Sequence, residues 1–421
     1  MDIFESMSCY LPFSIKLSIM VNLRPREREM LDGREGAAAQ FSMNLLLDVA
    51  ESYSAPRFVD IAWAHVAGAY DNTRANIDFA RHMANRGARV SVPTTLTSCS
   101  FDTSAPVAGN TRAIELIALY ESMGCEPVMT CAPYHARPEP TPGTHLAWCE
   151  SSAVVYANSV LGARTNRYVE FFDLCAAITG CVPKFGLHCD EMRRAATVIE
   201  LDRIPEAWFA EAWFFQALGV LVARRVGDRV PVIDGLPATT TRSNLRNLGS
   251  AAATSGAVNI FHAVGLTPEA PDLDTACQGS TPEFYETIDS QAILRANKSL
   301  STGATSPATA VCVGAPHYSM TEFEYLSKLL DGRTTKLPVI ASTDGATLAQ
   351  LEYSGLLAKF REQHISIVSG RCTYYKPFAG ELGNHVLTDS AKWAWYAPTA
   401  LGIDVTFASI GECIERAVRG V

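Results

Sequence analysis

Three cysteines sit where short apolar runs end: Thr130-Cys131-Ala132-Pro133-Tyr134, Cys312-Val313-Gly314-Ala315-Pro316-His317 and Gly370-Arg371-Cys372-Thr373-Tyr374. Each is followed by a Pro- or Gly-containing turn or an aromatic pair. An α/β enzyme places its ligands there, at the carboxyl ends of its strands. Three thiolates converging from distant segments can hold an iron–sulfur cluster with one iron open to substrate. No regular spacing links Cys131, Cys312 and Cys372, so three buried core thiols are the plain alternative.

The densest polar segment is Trp148-Cys149-Glu150-Ser151-Ser152, which continues through Tyr156-Ala157-Asn158-Ser159 to Gly162-Ala163-Arg164-Thr165-Asn166-Arg167. At helical spacing Ser151, Ser152, Val155, Asn158 and Ser159 share a face. Small hydroxyls and amides followed by two arginines suit a carboxylate ligand, which Arg binds as a planar fork. A capped helix with a solvated turn is the bland alternative. Thr94 and Thr95, in Pro93–Ser100, follow a strand candidate and offer hydroxyls to a polar ligand, or else form an ordinary Ser/Thr turn. His65 follows an apolar run and is an acid, base or ligand candidate. A lone histidine in such a run is more often structural. His188, His262 and His317 face the same choice, and His317 gains weight from its spacing to Cys312. Lys392 falls in the first turn of a helix capped by Thr388 or Asp389, where a cation opposes the helix dipole and favours an anionic partner.

These residues need elements to position them. Short apolar strand candidates (57–62, 88–92, 126–130, 230–233, 257–262, 308–313, 337–342, 365–369 and 405–408) alternate with helical patterns at 112–123, 205–225, 321–330, 348–363 and 390–397. That alternation predicts parallel-sheet α/β architecture. The irregular stretches 236–243 and 266–282 are the candidate boundaries between lobes. Residues 1–23 read as an extension, with the working chain beginning near Met20. Asp2 and Glu5 argue against a signal peptide in the apolar stretch 9–21.

The 421 residues are 48% hydrophobic with net charge −9. An acidic pI near 5.5 argues against nucleic acid and anionic membrane surfaces as partners. No apolar run is long enough to span a bilayer. Twelve cysteines without a C-x-x-C pair, spread through a large chain, read as reduced thiols in a cytoplasmic protein.

The motifs MLDGREGAAAQFSM (30–43), DIAWAHVAG (60–68), VPTTLT (92–97), TCAPY (130–134), GTHLAWCESSAVVYANSVLGARTNR (143–167), GLH (186–188), FHAVGLTPEA (261–270), VCVGAPH (311–317) and LTDSAKWAWYAP (387–398) resemble those of aconitase X, a divergent branch of the aconitase superfamily. The resemblance runs from about residue 24 to the C-terminus and matches the large, catalytic part. It implies an aconitase-like, multidomain α/β/α fold with mainly parallel sheets. It also implies an iron–sulfur cluster on Cys131, Cys312 and Cys372, and dehydration of a small hydroxy acid. One departure is Arg371, where family members often carry a small or acidic residue before the third cysteine.

A separate small aconitase X-type subunit is expected, supplying a catalytic serine. The substrate expected is cis-3-hydroxy-L-proline, placing the enzyme in amino-acid catabolism. The alternatives are a mevalonate 5-phosphate dehydratase large subunit and a non-catalytic aconitase-like regulator. Within this reading His65, Lys392 and Ser152 are the catalytic candidates. Thr94, Thr95, Ser151, Asn158, Ser159, Arg164, Thr165 and Arg167 bind substrate. The absence of a separate Gly-rich phosphate loop favours the proline substrate.

Overall fold

The computed structural model describes residues 21–67, 73–105, 111–374 and 382–421. The expected extension lies outside the described residues up to residue 20. Asn22 already pairs with Arg57 in a parallel bridge.

Three parallel sheets organise the chain. In the first region β1 (Phe58–Asp60), β2 (Ala64–Val66), β3 (Thr94–Leu96), β4 (Ala147–Trp148) and β5 (Cys181–Pro183) form a three-stranded parallel sheet, ordered β3-β2-β4, and an antiparallel β1-β5 pair. The second region holds β6 (Thr197–Asp202), β7 (Pro231–Asp234), β8 (His262–Ala263) and β9 (Phe284–Asp289), ordered β8-β7-β6-β9 and parallel throughout. In the third, β10 (Ala310–Val313), β11 (Val339–Thr343), β12 (Ile365–Ser369), β13 (His385–Thr388) and β14 (Asp404–Phe407) form a parallel sheet ordered β12-β11-β10-β13-β14. The expected α/β class with mainly parallel sheets is therefore what the chain adopts.

Local chemistry sets the helix starts. Asp289, Asp344, Ser390 and Ser409 each accept a hydrogen bond from a backbone N–H in the first turn of the helix that follows, each cap adding about 1 kcal/mol. Helices Ala212–Val226 and Arg242–Ser255 pack closely at Gly219, where a Cβ would fall 2.2 Å from the Leu248 carbonyl oxygen.

Several elements differ from the sequence reading. Residues 88–92 and 126–130 form no strand; the latter contribute one bridge, Glu126 to Thr95. Thr94–Leu96, expected as a turn, is β3, and His65 lies inside β2 rather than after a strand. The strand expected at 257–262 shrinks to His262–Ala263. The helix expected at 205–225 begins at Ala212, after a 3-10 turn at Glu206–Ala210. Residues 348–363 split into two helices around Gly355, whose φ of 75° ends one and starts the other. Stretch 236–243 connects β7 to the helix Arg242–Ser255, and 266–282 connects β8 to β9, so both lie within the second sheet region.

Candidate active site

A cavity of about 670 Å³ opens where the first and third sheets aim their carboxyl ends at each other. Ala67 follows β2, Thr97 and Ser98 follow β3, and Cys149, Glu150 and Ser151 follow β4. From the third sheet come Cys372, after β12, and Lys392, after β13. Short polar ties hold the two sheets in this arrangement. Cys99 N–H donates to the Gly370 carbonyl (2.7 Å), and Ser369 N–H to Asp102 Oδ1 (3.0 Å).

At the cavity floor the donor atoms of Cys131, His317 and Cys372 lie within 4.8 Å of one another, all buried. His317 backbone N–H donates to Cys131 Sγ (3.2 Å). Gly314 makes the approach of this loop possible: at φ 87°, a Cβ there would fall 2.3 Å from the Ser342 carbonyl oxygen of β11. A hydrogen bond from Cys372 holds the Cys131 thiol well below its ordinary range against the cost of burial, with His317 and Lys392 adding to the effect. The same bond, together with burial, pushes Cys372 up. Burial would lower His317, but Cys131 and Asp344 raise it overall. The pair thus favours the thiolate at Cys131 over Cys372. His317 Nε2 makes no hydrogen bond of normal geometry among the described residues. Two soft sulfurs and an imidazole with a spare nitrogen suit iron, an iron–sulfur group or zinc.

Cys312 is not part of this group. It lies inside β10, in the same buried apolar cluster as Cys131 and Cys372. Its thiol bonds to the Thr373 side chain, and burial pushes it up to about 12.

Beside the thiols stands an ion pair that joins distant parts of the chain. Lys392 Nζ donates to Glu150 Oε1 and to Ser152 Oγ (2.9 Å), and Ser152 Oγ donates to Glu150 Oε1 (2.9 Å). Glu150 also caps the helix Ser151–Val155 by accepting from Ser152 N–H (3.4 Å). Burial alone would raise the Glu150 carboxyl; Lys392 and Ser152 bring it down to about 2. Burial would likewise lower Lys392, and Glu150, Cys131 and Cys372 push it up instead. A charged ammonium therefore lines the cavity.

Of the residues expected from the sequence, Cys131, Cys372, Lys392, Ser151 and Arg167 line this cavity, and Ser152 stands one hydrogen bond behind Lys392. The others build its frame. His65 bridges the Thr130 carbonyl (Nε2, 3.1 Å) and the Thr95 hydroxyl (Nδ1, 2.8 Å), and Trp63 N–H donates to the same hydroxyl (3.0 Å). That pattern puts the proton on Nε2 and leaves Nδ1 as acceptor. Burial takes His65 down to about 4, so it is neutral and fixes the backbone just before Cys131. Thr94 donates to the Val92 carbonyl (2.9 Å).

The helix at Ser151 widens into a π turn at Tyr156–Val160, a form frequent at functional sites, so the expected common face is broken. Asn158 bonds both backbone groups of Thr165 (2.8 and 3.0 Å). Ser159 Oγ accepts from Phe261 N–H (2.8 Å), and Thr165 Oγ1 from Trp148 N–H (3.1 Å). Arg164 turns away to Asp190 and the His188 carbonyl. His188 itself bonds Tyr168 and His145, and His262 the Arg193 carbonyl.

Sequence reasoning passed over Glu150, Glu170, Tyr168 and Tyr374, all in the cavity wall, and Asp173 just behind it. A carboxylate directly before a Ser-Ser helix start was the available signal for Glu150.

Three family models match the chain in sequence: the aconitase X first domain over residues 20–191, the second domain over 195–297 and the third domain over 308–419. The chain belongs to the aconitase X family. Among aconitase X relatives, it is 35% identical over 94% of its length to the cis-3-hydroxy-L-proline dehydratase of Pseudomonas aeruginosa, of which it covers 69%. It is 32% identical over 97% of its length to the Hypocrea jecorina protein of the same name, of which it covers 70%. The phosphomevalonate dehydratase large subunit of Thermococcus kodakarensis is 32% identical over 94% of this chain and is covered to 99%. A crystal structure of Thermococcus kodakaraensis aconitase X (holo-form) superimposes with a TM-score of 0.85 at 30% identity, covering 94% of this chain and all of that one. No described helix is long and apolar enough to cross a membrane.

Proposed function

We propose that this chain is the catalytic part of a hydro-lyase that dehydrates cis-3-hydroxy-L-proline. The observation that carries the reading is a cavity in which a thiol–imidazole donor group faces a protonated lysine, in a chain 32–35% identical to two cis-3-hydroxy-L-proline dehydratases. In the reaction the C2–H and C3–O bonds break, a C2=C3 double bond forms and water leaves. The enamine then takes a proton at C3 to give a pyrroline-2-carboxylate.

The chain's own groups address both barriers. Arg167 lies on the cavity wall and holds the substrate carboxylate, which stabilises the charge that builds as the C2 proton leaves. Lys392, kept charged by Glu150, presents a proton to the departing hydroxyl, and Ser152 fixes its direction. His65 and Thr95 hold the Thr130–Cys131 backbone still.

An iron–sulfur group would fit Cys131 and Cys372 as ligands with His317 beside them; the family resemblance adds Cys312, which lies in the same buried apolar cluster but outside that donor group. When bound, it supplies a Lewis acid for the leaving oxygen. A small aconitase X-type subunit is proposed to close the cavity and bring the general base. Relatives named as large subunits support this, and Val169 at the cavity edge is 71% exposed. The free, largely buried cysteines favour a reducing compartment, the cytoplasm.

A second reading, the large subunit of a phosphomevalonate dehydratase, is favoured by the 99% coverage of that relative. An anaerobic turnover assay of the chain with its small subunit separates the two. Product from cis-3-hydroxy-L-proline alone is expected. Product from mevalonate 5-phosphate alone would overturn the proposal while keeping the hydro-lyase chemistry.

A further inference from the structure

A second cavity, of about 150 Å³, shares no lining residue with the catalytic one. Five helices begin at it. Ala212 and Ile410 are the first residues of helices Ala212–Val226 and Ile410–Arg419. Ser243 and Asn244 lie in the first turn of Arg242–Ser255 and Glu322 in that of Met320–Leu330, while Ser390 caps Ala391–Leu401. All six border the cavity, and the five helices run to between 10 and 15 residues. Each helix start carries roughly half a positive charge. Thr241, Ser390 and Ser409 already cap first-turn N–H groups, so the starts act on a ligand mainly through their field.

Side chains supply the donors. Arg246 lines the cavity and is 4% exposed. Its guanidinium donates to Glu322, yet its Nε has no hydrogen-bond partner among the described residues. A buried guanidinium N–H left without an acceptor is costly, and a bound acceptor removes that cost.

The two carboxyls on the wall leave room for an anion. Glu322 is matched by Arg246 and also accepts from the Ser319 N–H (2.9 Å) and hydroxyl (2.8 Å). Asp389 accepts from the Tyr318 hydroxyl on Oδ2, and its Oδ1 has no partner among the described residues. Burial pushes this carboxyl up to about 7, so below neutrality it holds a proton that Oδ1 can donate.

We propose that this cavity binds a small oxyanion, a carboxylate or a phosphate, which accepts from Arg246 Nε and Asp389 Oδ1–H where five helix starts meet. The site stands independently of the reaction proposed above. It adjoins the start of the helix that carries Lys392. There Gln216 donates to the Asp389 carbonyl (2.7 Å) and accepts from Ala391 N–H (2.6 Å), and Ser390 Oγ donates to the Ala315 carbonyl.

The test is equilibrium dialysis of the complete enzyme against radiolabelled inorganic phosphate at pH 6 and constant ionic strength, with acetate as competitor. One bound equivalent is expected. Arg246→Lys keeps the charge facing Glu322 but loses the Nε donor, and Asn247→Asp sets a like charge on the cavity wall. Each should weaken binding about 10-fold or more. Asn247→Asp carries the test if Arg246→Lys does not fold. Arg167→Gln, in the catalytic cavity, should bind as wild type does.

Competition by acetate would show that any small oxyanion fits, and phosphate binding without it would narrow the ligand to phosphate. Direct binding of labelled acetate with no binding of phosphate would narrow it to a carboxylate. Failure to bind either anion would overturn the proposal, as would affinity unchanged in both cavity variants. Binding lost in Arg167→Gln alone would place the anion in the catalytic cavity and overturn it too.

Discussion

The first and third sheets face the same cavity but are built from opposite materials. Strands β10 and β11 are continuous apolar or small-residue runs, buried on both faces, as expected of a parallel sheet covered by helices. In β2 and β3, of six residues, three are His65, Thr94 and Thr95, and all six are buried. At β10 and β11 the third sheet is held mainly by packing, side-chain hydrogen bonds such as His385 to Thr406 (2.8 Å) lying toward its other edge, and the cavity-lining Cys372 and Lys392 come from beyond its strands. The first sheet is held partly by side-chain hydrogen bonds inside the strands, and one of these residues, His65, fixes the backbone just before Cys131. Damage to the first should therefore spread to the donor group, whereas damage inside the third should stay local.

The largest effect tests the point where the two sheets meet. Cys131→Ala and Cys372→Ala should each abolish turnover and iron binding, read by iron content and visible absorbance. A Cys131→Ala protein that kept both would remove the donor group from the proposal. Next is Lys392→Met, which strands the Glu150 carboxylate in a buried setting. A stability loss of about 3–5 kcal/mol by urea denaturation is expected, together with loss of activity. A full-activity variant would show that the ion pair is only structural.

Within the first sheet, Thr95→Val deprives Trp63 and His65 of their shared hydroxyl. It should cost about 1–3 kcal/mol and also lower iron retention, because the Thr130 carbonyl loses its anchor. In the third sheet, Ile340→Val should cost about 0.5–1.5 kcal/mol with iron content unchanged. Equal iron loss in both variants would erase the contrast between the sheets.

A finer comparison uses one carboxyl from each side. Burial pushes both Asp173, behind β2, and Asp389, after β13, up to about 7. Each binds a proton more tightly folded than unfolded. Their protonated forms therefore stabilise the fold at low pH, and that contribution is lost as pH rises from about 4 to about 7. Asp173→Asn and Asp389→Asn should each flatten part of this slope in pH-dependent melts. A slope identical to wild type in both would discount the two sites.

The same contrast explains what could be read from the sequence. The strands at 310–313 and 339–343 were legible because burial on both faces demands apolar runs. Strands β2 and β3 were not, because a Thr-Thr-Leu triplet after a proline has the composition of a turn; its parallel pairing with β2, reinforced by the bonds of the Thr95 hydroxyl to Trp63 and His65, makes it a strand. In the site, Cys131, Cys372, Lys392, Ser151 and Arg167 stood out by type and position. Asn158, Ser159 and Thr165 looked like ligands, but their side chains satisfy backbone groups of Thr165, Phe261 and Trp148. Glu150 was hidden by its second duty as a helix cap, and Glu170 by lying in an irregular stretch with no period to mark it.

The Glu150–Lys392 contact spans 242 residues of sequence, so it cannot form until nearly the whole chain is in place. A chain emerging from the ribosome makes the Glu150 cap early, as a local contact, and carries that carboxylate unmatched next to the place where Cys131 settles. Lys392 adds to the effect of Cys372 and His317 in holding the Cys131 thiol down, so the charge balance around that thiol is complete only once residue 392 has folded back against residue 150.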